Sequence, residues 1–271
     1  MEPRGEKKRH RALKIYGIWA LLVVLVNLAA GMIPGLGDWY IRHIFPIWVN
    51  TYGRLMDIFS FSVGEWMLAA GVALLGAALV LALVLLVWGM TALAARVRKV
   101  VLFSRCPMWI RRFYIFFAWT LLSVCTVMTL NCSLLYQAST FSEQYFPNVR
   151  SSYTLEELTD LRNMVVERCN ALAPEMERDD EGAVVYGGSA RDMQEAAICA
   201  MQRLGQSYEQ LDGYYPHPKP FAASDFFSQQ YMQGYYFPFS MEANYNDVMH
   251  ILNIPSTMFH ELAHLRGYIY E

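Results

Sequence analysis

The chain has 271 residues, of which 55% are hydrophobic and 17% are charged, and its formal net charge is -2. There is no surplus of lysine and arginine for neutralising phosphates, so the composition argues against a nucleic-acid-binding role. The apolar residues are concentrated in the first half of the chain, which predicts a membrane module followed by a water-exposed module.

Three uncharged apolar runs predict three transmembrane helices, at about 15–33, 66–95 and 113–136. Each run is long enough to cross a hydrocarbon core of roughly 30 Å. A basic stretch precedes the first run, but no small-residue cleavage site follows it, so we expect a retained anchor rather than a cleaved signal peptide. These runs define a predicted membrane module over residues 1–140.

The distribution of basic residues predicts the orientation of this module. The loop between the second and third runs is crowded with them: Arg96, Arg98, Lys99, Arg105, Arg111 and Arg112. Since basic loops stay on the cytoplasmic side, the N-terminus and this loop are predicted to be cytoplasmic. Three crossings then place everything after the third run outside the cytoplasm.

The segment 37–65 lies between the first two runs and is too polar to span a membrane. It mixes aromatic residues such as Trp39 and Trp48 with charged residues such as Arg42 and Arg54. This mixture predicts an interfacial helical element at the outer headgroup level. An ordinary aromatic-rich loop fits the pattern about equally well.

Residues 141–271 are predicted to form a mainly helical α+β domain with a small sheet. Thr154 with Glu157 three residues later is a capping-box pattern, so a helix is expected to begin there. A second helix is expected to begin at Ser189 or Asp192. A third, short helix is expected from 225 to 233.

Two further elements complete the predicted domain. The aromatic run 235–244 contains Pro238, which suits an edge strand, and Glu242 and Asn244 are either a polar strand end or residues beside a cleft. The last helix is expected to be capped by Ser256 or Thr257.

Cysteine usage leaves two alternatives open. Cys169 and Cys199 are the two cysteines that the predicted topology places in an oxidising compartment. They could form a disulfide, or they could be two free buried thiols, because no spacing rule connects them.

The sequence His260-Glu261-Leu262-Ala263-His264 at the end of the chain carries the chemistry. Two histidines four residues apart lie on one face of a helix, so both imidazoles can reach one tetrahedral Zn²⁺ ion. Glu261 is then placed to take a proton from water activated by the ion, which predicts peptide hydrolysis.

A catalytic zinc needs a third protein ligand. Metzincins place a histidine six residues after the second motif histidine, and this chain has Gly267 at the glycine of that pattern but Tyr270 at the ligand position. The remaining candidate is Glu271, the last residue. A chain that stops at a candidate ligand is expected to be truncated there.

The segments 259–271, 236–244 and 61–65 together resemble the DUF3810 family of bacterial multi-pass membrane proteins. The resemblance implies a zincin-like domain of the gluzincin type, in which a glutamate that begins an E-x-x-A-[ND] motif is the third ligand. It therefore implies His260, His264 and Glu271 as zinc ligands and Glu261 as the general base. The family is named for an unknown function, so the resemblance implies no substrate.

Two functions follow as hypotheses. The first is a membrane-anchored zinc metallopeptidase that acts on peptides or proteins at the outer membrane face. The second is a sensor or scaffold whose zincin-like domain binds a ligand or partner without turnover. Cleavage inside the bilayer is disfavoured, because polar residues including Asn253 and Arg266 flank the motif and no apolar run of about 20 residues surrounds it.

Overall fold

A computed structural model describes residues 4–94, 107–148 and 152–270 of the chain. The first half is helical. Its elements are α1 (Arg4–Met32), α2 (Leu36–His43), α3 (Phe45–Trp48), a π-helical turn (Val49–Gly53), α4 (Arg54–Met56), α5 (Val63–Ala94) and α6 (Met108–Met128), which continues as a π-helical turn (Thr129–Ser133) and a 3₁₀ turn (Leu135–Gln137).

Three of these helices are long and apolar enough to cross a membrane. The qualifying stretches are His10–Met32, Val63–Met90 and Met108–Gln137. The three apolar helices predicted from hydropathy are therefore confirmed, although the third begins at Met108, before the predicted position 113. Residue 95, the predicted end of the second run, lies outside the described residues. The orientation of the helices in a membrane stays a prediction.

Polar side chains join the three long helices. Asn27 Nδ2 of α1 donates a hydrogen bond to Thr129 Oγ1 at 2.7 Å, and the Tyr114 hydroxyl of α6 donates to the Ala78 carbonyl of α5 at 2.7 Å. Such bonds stabilise helix association where apolar surroundings offer polar groups no other partner.

The segment α2–α4 packs into the main hydrophobic core rather than forming an independent surface element. Ile41, Phe45 and Val49 recur at four-residue spacing, so they share one helical face, and all three are fully buried. They belong to the same core cluster as Met258 and Leu262 near the C-terminus. Two apolar helices, α5 and α6, separate these parts in the sequence, and two crossings return a chain to the same side of a membrane.

The second half of the chain begins with three helices, each of which has a capping box at its N-terminus. These are α7 (Phe141–Tyr145), α8 (Leu155–Leu172) and α9 (Ala190–Gly205). The predicted capping box at Thr154 is confirmed, and of the two predicted starts of the second helix, Ser189 is the N-cap and also forms a capping box. In both, the side chain accepts from the backbone N–H three residues on, and the acid at that position reciprocates. Cys169 and Cys199 are both free and exposed, so neither the disulfide nor the pair of buried thiols is present.

The sheet has three strands, and the prediction of one strand over 235–244 was wrong. β1 (Lys219–Pro220), α10 (Ser224–Gln229), β2 (Gly234–Phe237) and β3 (Glu242–Tyr245) follow in the chain. β3 is central, parallel to β1 and antiparallel to β2. Pro238 has no N–H to donate to a ladder, so the chain turns there and forms a hairpin. Glu242 and Asn244 consequently lie on the buried central strand.

The last helix, α11 (Ile254–His264), lies against both α9 and the sheet. It begins before the predicted caps: Asn253 is the N-cap residue, without a side-chain hydrogen bond, and Pro255 lies in the first turn. Proline suits that turn because it has no N–H to leave unpaired. Ser256 and Thr257 therefore lie inside the helix and do not cap it.

Candidate metal centre

One face of α11 brings three predicted site residues together. The imidazole rings of His260 and His264 have centroids 4.6 Å apart. One ligand atom from each of these histidines and one carboxylate oxygen of Glu261 all lie within 4.8 Å of one another. In the described part of the chain this is the one cluster of three such residues. The remaining predicted ligand, Glu271, lies outside the described residues.

The ring of His264 is oriented by the chain that follows the helix. Its Nδ1 lies 2.6 Å from the Tyr268 carbonyl oxygen. A carbonyl only accepts, so Nδ1 carries the proton and Nε2 is the nitrogen with a lone pair for a metal. Gly267 makes this return possible, because its φ of 92° is unfavourable for residues with a Cβ. In the sequence, Gly267 matches the glycine of the metzincin pattern and indicates a tight turn, but it does not indicate the contact between Tyr268 and His264.

Glu261 is a buried carboxylate with an unsatisfied oxygen. The residue is 4% exposed, and among the described residues Oε2 has no hydrogen-bond partner. Burial raises the pKa of Glu261 to about 8, while a backbone hydrogen bond from Tyr236 acts in the opposite direction. A cation held nearby favours the charged carboxylate and lowers its pKa. The donor set and the unsatisfied oxygen thus fit a bound metal ion.

β2 lies directly on Glu261, and a glycine makes the contact possible. A Cβ added to Gly234 would lie 2.6 Å from Glu261 Oε1 and 2.6 Å from Thr257 Cγ2. Any side chain at this position would therefore displace the carboxylate or the strand. In the sequence, Gly234 was interpreted only as the residue that ends the predicted helix 225–233. Its closeness to Glu261 arises only in the folded chain.

Among the described residues β2 is an edge strand of the sheet, and its outer edge faces the same carboxylate. The Asn246 N–H donates to the Gln233 carbonyl at 2.7 Å, so these two residues form a hydrogen-bonded pair. Hydrogen-bonded and non-hydrogen-bonded pairs alternate along an antiparallel ladder. Gly234 and Tyr236 therefore belong to non-hydrogen-bonded pairs, and their backbone N–H and carbonyl groups point away from β3. One of them, the Tyr236 N–H, bonds to Glu261.

The cluster lies beside the end of the third apolar helix. The Tyr236 hydroxyl donates to the Asn131 carbonyl at 3.2 Å, and Asn131 Nδ2 donates to the Pro238 carbonyl at 2.9 Å. The rings of Tyr136 and Tyr270 meet edge to face, with centroids 5.1 Å apart. A single layer of side chains therefore separates the strand above Glu261 from the helix that approaches the membrane.

An apolar cavity of about 240 Å³ opens beside the two histidines. Its lining includes Phe141, Met201, Leu204, Phe259, Ala263 and Tyr268.

Glu242, which sequence reasoning placed at a strand end or a cleft, is instead a structural anchor. Its carboxylate pairs with the Lys219 ammonium. It also accepts hydrogen bonds from Val63 N at 3.2 Å and Gly64 N at 2.8 Å, at the start of α5. These contacts tie the central strand to the second apolar helix.

Fold and cluster together define a class of protein: a mainly helical chain with three membrane-length helices and a His-Glu-His group beside an open sheet edge. The chain belongs to the DUF3810 family, described as a protein of unknown function, whose family model matches residues 40–271. Searches of curated proteins and of solved structures found no match. The predicted family is thus confirmed.

Proposed function

We propose that this protein is a membrane-anchored zinc metallopeptidase with a zincin-like catalytic domain. The observation that carries the proposal is the convergence of His260, Glu261 and His264, with ligand atoms within 4.8 Å, beside an open strand edge. The proposed metal-binding helix α11 lies next to the edge strand β2. This arrangement combines the two requirements of peptide hydrolysis: a hydrolytic centre and a strand edge that can bind an extended backbone.

Each residue has a distinct role in this proposal. His260 and His264 hold the zinc ion, with Glu271 as the predicted third ligand. A zinc ion bound by these residues would supply a Lewis acid for the scissile carbonyl and would make water more acidic. Glu261 accepts the proton of the attacking water and returns it to the leaving amine nitrogen. The Tyr236 N–H holds the Glu261 carboxylate in place.

The substrate is a polypeptide in extended conformation that adds to the free edge of β2. The outward N–H and carbonyl of Gly234 and the outward carbonyl of Tyr236 are the backbone groups proposed to bind it, since the Tyr236 N–H is bonded to Glu261. The cavity beside the histidines, about 240 Å³ and mostly apolar, suits an apolar side chain of that substrate. Because the cluster adjoins the end of α6, we expect substrates at the outer membrane face.

A second candidate is a sensor or scaffold that binds a ligand without turnover. The observation that favours it is the direct connection of the sheet to two apolar helices, through Asn131 to the β2–β3 turn and through Glu242 to the start of α5. Such connections can transmit a conformational change from the sheet to the apolar helices or from the helices to the sheet. The role of Glu261 separates the candidates, since a binding domain has no need of a general base.

Metal analysis and a peptidase assay with a mixed peptide library test the proposal on the full-length protein. We expect Glu261→Gln to retain zinc and lose hydrolysis, and His260→Ala to lose both. His250→Ala is the matched control, because His250 is exposed on the loop before α11 and should leave both unchanged. Wild-type protein without zinc would refute the proposal, and zinc without cleavage would favour the sensor.

A further inference from the structure

A polar cavity of about 560 Å³ lies beside the turn that follows α11, and it shares no lining residue with the apolar cavity beside the histidines. Its polar lining residues include Arg42, His43, Gln144, Glu209, Asp212 and Arg266. The volume falls within the range of small-molecule sites, roughly 300–1,000 Å³. This cavity, here called the Arg266 cavity, has no role in the proposed hydrolysis.

Arg266 is a buried cation without a counter-ion among the described residues. The residue is 3% exposed, and its guanidinium carbon lies 4.4 Å from the centroid of the Tyr215 ring. Nη2 donates to the Tyr214 carbonyl, whereas Nε has no partner in the described part of the chain. An aromatic ring and a carbonyl compensate only part of a buried charge. An anionic group in the cavity would therefore be stabilised by this guanidinium.

The residues around Arg266 hold its guanidinium in place. A Cβ added to Gly213 would lie 2.6 Å from Nη2 and 2.9 Å from Nη1, so only a glycine lets the backbone approach this closely. Gln210 Nε2 donates to the carbonyl of Arg266 at 3.2 Å and to that of Ile41 at 3.0 Å, which ties the turn to α2. Because the cation is already ordered, a ligand does not have to order it on binding.

The other charges of the lining indicate what else the ligand carries. Glu209 and Asp212 are exposed acids, and Arg42 is an exposed second cation. Within the described ranges none of these three side chains forms an ion pair. The lining thus combines two arginines and two acids that do not neutralise one another by contact. A simple anion is attracted by the arginines and repelled by the acids, whereas a zwitterion is attracted by both.

We propose that the Arg266 cavity binds a small zwitterion. Its phosphate or carboxylate contacts the arginines, because a planar guanidinium matches the oxygen pairs of these groups. Its primary ammonium donates to the acid pair, Glu209 and Asp212, whose carboxylates accept hydrogen bonds. Two sources supply this chemistry: the headgroup of an ethanolamine phospholipid, and a free amino acid or short peptide.

The walls of the cavity lie close to the ends of two apolar helices. α2, which supplies Arg42, follows α1 after a short turn, and α7, which supplies Gln144, follows the third apolar helix. The Asp38 carboxylate joins these two segments, since it accepts from the Ser139 N–H at 2.8 Å and from the Ser139 hydroxyl at 2.9 Å. Helices of membrane length end here, so lipid headgroups as well as soluble molecules can reach the cavity.

Calorimetric titration of the full-length protein, delipidated in a non-ionic detergent, tests the site with three soluble probes. These are phosphoethanolamine, glycylglycine and inorganic phosphate. We expect at least one of the two zwitterions to bind more tightly than inorganic phosphate. Tighter binding of phosphoethanolamine identifies a lipid headgroup as the ligand, and tighter binding of glycylglycine identifies an amino acid or peptide. No binding of either zwitterion would overturn the proposal, as would tighter binding of inorganic phosphate.

Removal of the acid pair separates a zwitterion site from a simple anion site. The double variant Glu209→Gln/Asp212→Asn should weaken the zwitterion about tenfold, a typical loss for one charge-assisted hydrogen bond. It should strengthen the binding of inorganic phosphate, because it removes repulsion. The double variant Glu156→Gln/Asp160→Asn is the matched control, since both acids are exposed on α8 and should not affect either ligand. Equal effects of the two double variants would contradict the proposal.

Two further measurements complete the test. Without ligand, Glu209→Gln/Asp212→Asn should keep the wild-type melting temperature; a lowered value would show that one of these acids compensates Arg266 within the chain, and would overturn the proposal. Arg42→Gln should weaken the zwitterion and inorganic phosphate alike, whereas unchanged affinities would exclude Arg42 from the site and leave the zwitterion without its second cation, against the proposal. Zinc and hydrolysis play no part in these measurements, so their outcome is independent of the proposed peptidase activity.

Discussion

The ion pair between Lys219 and Glu242 gives the sharpest stability prediction. Both side chains are almost fully buried, at 3% and 1% exposed. The Lys219 ammonium donates to one further acceptor, the Met56 carbonyl, at 2.7 Å. Glu242 has three further donors: Val63 N, Gly64 N and the Ser240 hydroxyl, the last at 2.5 Å. The two partners therefore depend on the ion pair to different degrees.

Removing one partner of a buried ion pair costs about 3–5 kcal/mol, because the other charge is left without compensation. We expect Lys219→Met near the lower value, about 3 kcal/mol, since Glu242 keeps three donors. Glu242→Gln should lie near the upper value, about 5 kcal/mol, since it leaves a buried ammonium and places an amide NH₂ where only donors approach. In the double variant no buried charge is unpaired, so it should cost about 2 kcal/mol less than the sum of the two.

Thermal unfolding of the detergent-purified protein measures these differences. At about 2–4 °C per kcal/mol, Lys219→Met should lower the melting temperature by roughly 6–12 °C. The matched control is Arg191→Met, which breaks the exposed Arg191–Glu195 pair, 3.1 Å long, and should cost less than about 1 kcal/mol. Equal shifts for the buried and exposed pairs would refute the reasoning, and so would a smaller loss for Glu242→Gln than for Lys219→Met.

Three further predictions concern the site, acid stability and the turn after α11. Gly234→Ala should keep zinc but lower hydrolysis by about 10²-fold, because its Cβ would lie 2.6 Å from Glu261 Oε1; unchanged turnover would contradict the close approach. Burial raises the pKa of Asp57, but hydrogen bonds from a tyrosine and a histidine outweigh it and hold the pKa below its ordinary value. The stability from Asp57 is then present above its unfolded pKa and lost as pH falls through the lower folded pKa. Asp57→Asn should therefore lower the melting temperature at pH 7 and flatten its decline below pH 4, whereas an unchanged decline would exclude this assignment. Gly267→Ala should lower the melting temperature by several degrees, because it combines an unfavourable φ with a Cβ 2.8 Å from Ile41 Cγ2; wild-type stability in a thermal scan would count against it.

Local patterns in the sequence predicted the helices well. The three apolar runs needed only hydropathy and length, and the helix start at Thr154 needed only a cap and an acid three residues later. The grouping of His260, Glu261 and His264 is also local, because helical spacing alone puts them within reach of one another. Each of these features depends on a pattern within one continuous segment of the sequence.

Features that depend on distant contacts were not predictable in the same way. Ile41 packs closely against Gly267, more than 200 residues later in the chain, and belongs to a core that is formed largely by residues far from it in sequence. The aromatic run around Pro238 suits either one edge strand or a hairpin, and the pairing with β3 decides between them. The contact of Gly234 with Glu261 has no signature in either local sequence. Glu271 stays a prediction, since it lies outside the described residues.

The shared core of α2–α4 and the C-terminal helices also constrains how the protein is made. Ile41, Phe45 and Val49 are synthesised first, but other members of the same core, such as Met258 and Leu262, follow only after the two apolar helices α5 and α6. Until then the early segment has an uncovered apolar face. A fragment beginning at residue 141 would lack seven of the 22 buried residues of this core. The C-terminal region should therefore be expressed with the 36–56 segment supplied as a fused or separate peptide.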